Sequence, residues 1–192
     1  MRRWLRALAA LATLSTLPAA ADIAAPESWR KETFQFPLPF APSIPYEGTE
    51  HVRFAPYWTD FTAERGFTYV VLWDVKRRAL EPAELERGLL VYFDGLMESV
   101  TRARKIADPG TVTSVALHPM AAPAGWTTAS GGRLWTWNGF AKGEPLTLHL
   151  EISYRPCGED RMQVFHAFSR AERTRPAWDE LREIRAATRC AS

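Results

Sequence analysis

Leu146-Thr147-Leu148-His149-Leu150-Glu151-Ile152-Ser153-Tyr154 alternates apolar and polar residues over its whole length, and Met162–Arg170 follows after a short polar break. Such alternation sends successive side chains to opposite faces, so each segment predicts a strand with one more apolar face. A break this short leaves room only for a tight reversal, which makes the pair antiparallel. Upstream, Leu134–Phe140 has the same character and reaches Leu146 through Ala141-Lys142-Gly143-Glu144, a second hairpin. Thr111–His118 adds another strand, followed by a loop of low complexity from Pro119 to Arg133.

Further out the period changes. Leu85, Leu89, Tyr92, Phe93, Leu96, Val100 and Ala103 recur at three- and four-residue steps, which predicts a long helix opened by Pro82 and closed by Asp108-Pro109-Gly110. Phe67–Val75 is a strand with Phe67, Tyr69, Val71, Trp73 and Val75 on one face, and Thr33–Phe36 and Glu50–Phe54 are shorter strands. Pro37, Pro39, Pro42 and Pro45 make residues 22–48 an extended strap that lies across the domain with Leu38, Phe40, Ile44 and Tyr46 buried. Pro176 starts a closing helix on which Trp178, Leu181, Ile184 and Thr188 share a face. The expected architecture is one α+β domain over residues 22–192: a mainly antiparallel sheet, a long central helix and a C-terminal helix, with both helices on one face.

This element order is similar to that of the PsbP/Mog1-like α/β/α sandwiches. Glu32-Thr33-Phe34, Pro37–Pro42, Glu50–Pro56, Tyr69–Trp73 and Tyr92–Met97 also resemble segments of a set of small exported bacterial proteins of unknown function. That resemblance implies a location and a compact domain, and it brings no activity with it.

The location is also written at the start of the chain. Arg2, Arg3 and Arg6 precede the short apolar run Ala7–Leu17, then Pro18 and Ala19-Ala20-Ala21, the pattern of a cleaved export signal covering residues 1–21. Arg2-Arg3 echoes a twin-arginine leader but lacks the preceding Ser, so the export route stays open. The apolar run is too short for a membrane span, and no later stretch is longer. Removing three Arg from 24 Lys+Arg against 22 Asp+Glu leaves a net charge of −1, which gives a nucleic-acid role no support. In an oxidising compartment the two cysteines, Cys157 and Cys190, are expected to form a disulfide.

Chemistry is harder to find. His149 and Glu151 share a strand face, and a register placing Glu151 opposite Val164 or His166 would add His166, giving a candidate metal or general-base cluster. The apolar companions Met162, Val164 and Phe168 argue for the other alignment, pairing them with Tyr154, Ile152 and Leu148 and turning His166 to the core. His149 and Glu151 then form a solvated face. Trp126, alone among small residues in the long loop, is the candidate ligand or partner anchor; the alternative is that it plugs the edge of the core. Trp135 and Trp137 are expected to pack together on Leu148 and Leu150.

No hydrolase, nucleotide-binding or metalloprotease motif is present, and nothing calls for a cofactor. The sequence therefore reads as a small exported binding or accessory protein of a Gram-negative cell envelope, periplasmic or secreted, acting on an envelope protein or a small ligand. The alternative is a metal-dependent or cofactor-free hydrolase using His149, Glu151 and His166.

Overall fold

The computed structural model describes residues 22–78, 81–107, 110 and 112–191. The leader expected at residues 1–21 and most of the helix-closing Asp108-Pro109-Gly110 lie outside them. Seven strands form one antiparallel sheet: β1 (Arg30–Gln35), β2 (Gly48–Phe54), β3 (Tyr69–Lys76), β4 (Ser114–Met120), β5 (Thr128–Trp137), β6 (Pro145–Cys157) and β7 (Arg161–Ser169). Their spatial order is β1-β2-β3-β7-β6-β5-β4. Among the described residues the helices are α1 (Pro82–Arg104) and α2 (Ala177–Ala187).

The helices lie on opposite faces, not on one. Leu85, Leu89, Tyr92, Phe93 and Met97 of α1 pack against Tyr69, Val71, Trp73 and Val75, while Trp178, Leu181 and Ile184 of α2 pack with Val70, Leu72, Phe165 and Ala167. The reason is in the central strands. Tyr69–Val75 is apolar at nearly every position, as is Val164–Phe168, so both sheet faces need a covering layer. Met97 takes the place in the buried stripe that the periodicity gave to Ala103, which is exposed.

Of the strap residues expected to be buried, Leu38, Ile44 and Tyr46 are, whereas Phe40 is half-exposed; the segment crosses α1 at Gly95. A Cβ there would lie 1.8 Å from the Phe40 carbonyl oxygen, so only glycine permits this crossing. At the chain's described start, the Asp22 carboxylate pairs with the buried Arg53 guanidinium, and Ile23 is buried with α2.

The expected long loop is mostly strand. β4 extends to Met120 and β5 begins at Thr128, leaving only residues 121–127 as the connection. Gly131 and Gly132 weaken a strand reading, but Gly132 is needed where it stands, because a Cβ there would meet the Ala116 carbonyl oxygen at 2.0 Å; at Gly131 the nearest atoms are the movable ends of the Arg173 and Met120 side chains. The Cys157–Cys190 disulfide is present, tying the end of β6 to the segment after α2, with Cα atoms 5.6 Å apart.

Candidate functional site: an aromatic cavity with a buried carboxylate

β2 carries Glu50, Val52 and Phe54 on the face toward α1. Glu50 is the exception in this otherwise apolar set, and it is completely buried. The ladder places it between Phe34 of β1 and Trp73 of β3. The Trp73 indole Nε1–H donates to Glu50 Oε2 at 2.7 Å, and the Tyr92 hydroxyl from α1 donates to Oε1 at 3.2 Å.

Above this carboxylate is a partly open cavity of about 210 Å³ between α1 and the β1–β2–β3 edge of the sheet. Its floor is Glu50, Val52, Phe67, Tyr69, Tyr92 and Met97, all buried. Half-exposed rings of Phe34, Phe40, Phe54, Trp58 and Phe140 form the rim, with Leu96 and Val100 of α1. The rings support one another: Phe40 meets Tyr92 edge-on at 5.0 Å and Trp58 meets Phe140 edge-on at 5.3 Å. At the mouth the Arg30 guanidinium lies over Phe54 at 4.6 Å and over Trp58 at 5.1 Å, and pairs with Glu32 at 3.1 Å.

Burial pushes Glu50 up to about 7, against the pull of the hydrogen bonds from Trp73 and Tyr92 and with a small push from Glu32. Burial also raises the Tyr92 and Tyr69 phenols well above their ordinary value, with the Glu50 charge adding to it, so both keep their protons at neutral pH. Among the described residues, no ion pair includes Glu50. The cavity therefore holds an acid that titrates near neutrality and has no cation of its own.

The residues singled out from the sequence lie elsewhere. β6 and β7 pair so that Ile152 faces His166, Leu150 faces Phe168 and Glu151 faces Ala167. His166 thus shares the α1 face and His149 and Glu151 the α2 face, so the alternative cluster of His149, Glu151 and His166 is not brought together. The face assignment is as the apolar pattern argued, but the pairing is displaced by two residues, with Met162 opposite Pro156. Among the described residues, no group of three or more His, Cys, Asp or Glu side chains is placed to hold a metal ion.

Glu151 is not solvated: at 2% exposure it accepts from Arg182 Nη2 at 2.7 Å and Arg185 Nη1 at 2.9 Å, both from α2. Burial alone would raise this carboxyl, but the two guanidinium groups outweigh it and hold it below its ordinary value. His149 is also buried, its pKa lowered by burial and by Arg133. His166 is buried against Trp73, with ring centroids 4.4 Å apart, and among the described residues neither ring nitrogen has a well-formed hydrogen bond; burial drives its pKa down to about 3, against a weaker upward pull from the Val71 and Val164 backbone.

Trp126 is 7% exposed, sits against Phe165 and lies under the Arg155 guanidinium at 4.3 Å, so it belongs to the core on the α2 side. Trp135 and Trp137 do not pack as a pair. Trp135 faces Thr147 and is 40% exposed, whereas Trp137, the last residue of β5, is buried and donates to Thr101 Oγ1 at 3.2 Å.

Sequence reasoning missed the cavity, although a signal was there. Glu50-x-Val52-x-Phe54 puts one carboxylate on an apolar strand face, and Tyr92 stands on the apolar stripe of α1. No protein-family model, curated protein or solved structure matches this chain.

Proposed function

We propose that the chain is a small exported binding protein of the bacterial cell envelope and that the cavity above Glu50 is its ligand site. The observation that carries this reading is the cavity itself: a concave, mainly aromatic space with one deeply buried polar centre, the usual composition of a small-molecule site. The disulfide is compatible with an oxidising compartment. Among the described residues no helix is long and apolar enough to cross a membrane. Asp22, the first residue after the expected cleavage site, is anchored to Arg53, which gives a processed chain a defined starting contact.

The test is a titration of the protein with a one-ring apolar probe such as indole, followed through the methyl resonances of Met97 and Leu96. Saturable shifts that vanish in Val100→Phe, which fills the cavity from α1, support the site. Unchanged spectra at the solubility limit of the probe would sink it.

A further inference from the structure

The cavity has a chemical polarity as well as a shape. Its charged lining groups are Arg30, Glu32 and Glu50. Arg30 and Glu32 neutralise one another at 3.1 Å, which leaves the Glu50 carboxylate as the net charge of the wall. Among the described residues, the groups around Glu50 supply no compensating cation: Phe34 and Glu32 come from β1, Trp73 and Tyr69 from β3, and Tyr92 from α1. On the far side of Trp73 stand Tyr46, a neutral phenol, and His166, which burial keeps uncharged. The remaining wall is aromatic, and ring faces attract cations. Two of the rim rings already hold one, the Arg30 guanidinium.

Taking the cavity as a ligand site, we propose that it binds an organic ammonium ion, with the cationic head held by the ring faces over the buried Glu50 carboxylate and an apolar body among the rings. The ligand supplies the counter-ion that the protein leaves out. An anion is opposed by Glu50, and a neutral ligand leaves the buried charge uncompensated. Size narrows the class: a dry cavity of about 150 Å³ takes benzene. At about 210 Å³ this one has room for a single ring carrying a short alkylammonium arm.

Proton linkage gives the proposal its distinctive signature. At slightly acid pH the empty site carries a proton on Glu50, and a bound cation expels that proton to the buffer. Affinity for the cation therefore rises with pH as Glu50 ionises, by about tenfold from one pH unit below its midpoint to one unit above. An aliphatic amine stays protonated across that window, so its own titration does not contribute.

The experiment is isothermal calorimetry with three probes of one shape: phenethylammonium, phenethyl alcohol and hydrocinnamate. The expected result is at least tenfold tighter binding of the ammonium ion, proton release in slightly acid buffer, and tightening as pH rises. Glu50→Gln, which keeps an acceptor oxygen for Trp73, is expected to abolish the preference and the proton release. Equal binding of ammonium and alcohol with no pH dependence would overturn the ammonium inference while leaving the cavity a ligand site. Binding of none of the three at millimolar concentration, with a native spectrum, would overturn the site reading along with it.

Discussion

Glu50 and Trp73 face each other across the β2–β3 ladder, and the indole N–H of one donates at 2.7 Å to the carboxylate of the other. The contact joins an acidic group to the middle of an aromatic core at the cost of keeping it out of water. Its acid form is the one favoured by that burial. Between pH 4.5 and about 7 the folded protein holds a proton on Glu50 that the unfolded chain gives up. The stability linked to this proton is fully present below pH 4.5 and is lost as pH rises through about 7. Glu50→Gln should remove that decline, worth on the order of 3 kcal/mol across the window. Urea denaturation of both proteins at the two ends of the window checks it, and parallel curves would refute the raised carboxyl.

His166 produces the opposite slope. Its pKa falls from 6.5 to about 3 on folding, so the unfolded chain binds the extra proton between those values and stability is lost as pH drops through them. His166→Phe should flatten the acid limb of the stability profile. It also removes two buried nitrogens that lack well-formed hydrogen bonds and keeps a ring against Trp73 and Phe168, so stability at neutral pH should hold or rise by about 1 kcal/mol. His166→Ala should instead cost about 2–4 kcal/mol, because it opens a hole between Trp73 and Phe168.

On the other face, Glu151 fixes α2 to the sheet through Arg182 and Arg185. Glu151→Gln leaves the covered Arg185 and the 38% exposed Arg182 without their carboxylate, and with solvent screening at Arg182 a loss of about 2 kcal/mol is expected. The exposed Glu64–Arg175 pair provides the contrast: Glu64→Gln should leave stability essentially unchanged. Equal effects in denaturant titrations would mean that the Glu151 bridge contributes nothing beyond a surface pair.

Much of this architecture can be read from periodicity. The hairpin of β6 and β7 follows from alternation, and so does the turning of His166 away from His149 and Glu151. Its exact register does not, because β6 runs on through Arg155-Pro156-Cys157, where a proline discourages a strand reading. The burial of Glu151 was hidden for a different reason. It depends on α2 covering the second face of the sheet, and no local pattern states which face a distant helix will choose. The cavity is hidden in the same way: Glu50 becomes a site only when Tyr92, Phe40 and Trp58 arrive from separate segments.

Trp126 tests where a loop aromatic belongs. Its ring fills space beside Phe165 and supports the Arg155 guanidinium, which in turn holds Gln163 at 2.6 Å and the Thr188 carbonyl at 2.9 Å. Trp126→Ala should therefore cost about 3 kcal/mol or more. A thermal-melt series with Trp126→Ala and Arg155→Ala should show less than additive losses, as expected for two side chains in contact. Near-native stability of the alanine variant would instead mark Trp126 as a surface anchor.

Gly95 links the strap to the cavity and gives the sharpest steric test. In an ordinary exposed helix position, Gly→Ala stabilises by about 1 kcal/mol. Here the added methyl would point at the Phe40 carbonyl oxygen from 1.8 Å, and that oxygen is backbone, so no side-chain rotation relieves the clash. The strap must lift, and Phe40, which packs edge-on against Tyr92, must lift with it. Gly95→Ala is therefore expected to lower stability and to expose Phe40 and Tyr92 to solvent, weakening any ligand held above Glu50. Gly88, earlier on α1, has nothing within 4 Å of the corresponding methyl position, so Gly88→Ala should give the ordinary gain. Denaturation midpoints of the two variants should move in opposite directions, and a stabilised Gly95→Ala would show that the strap does not press on α1.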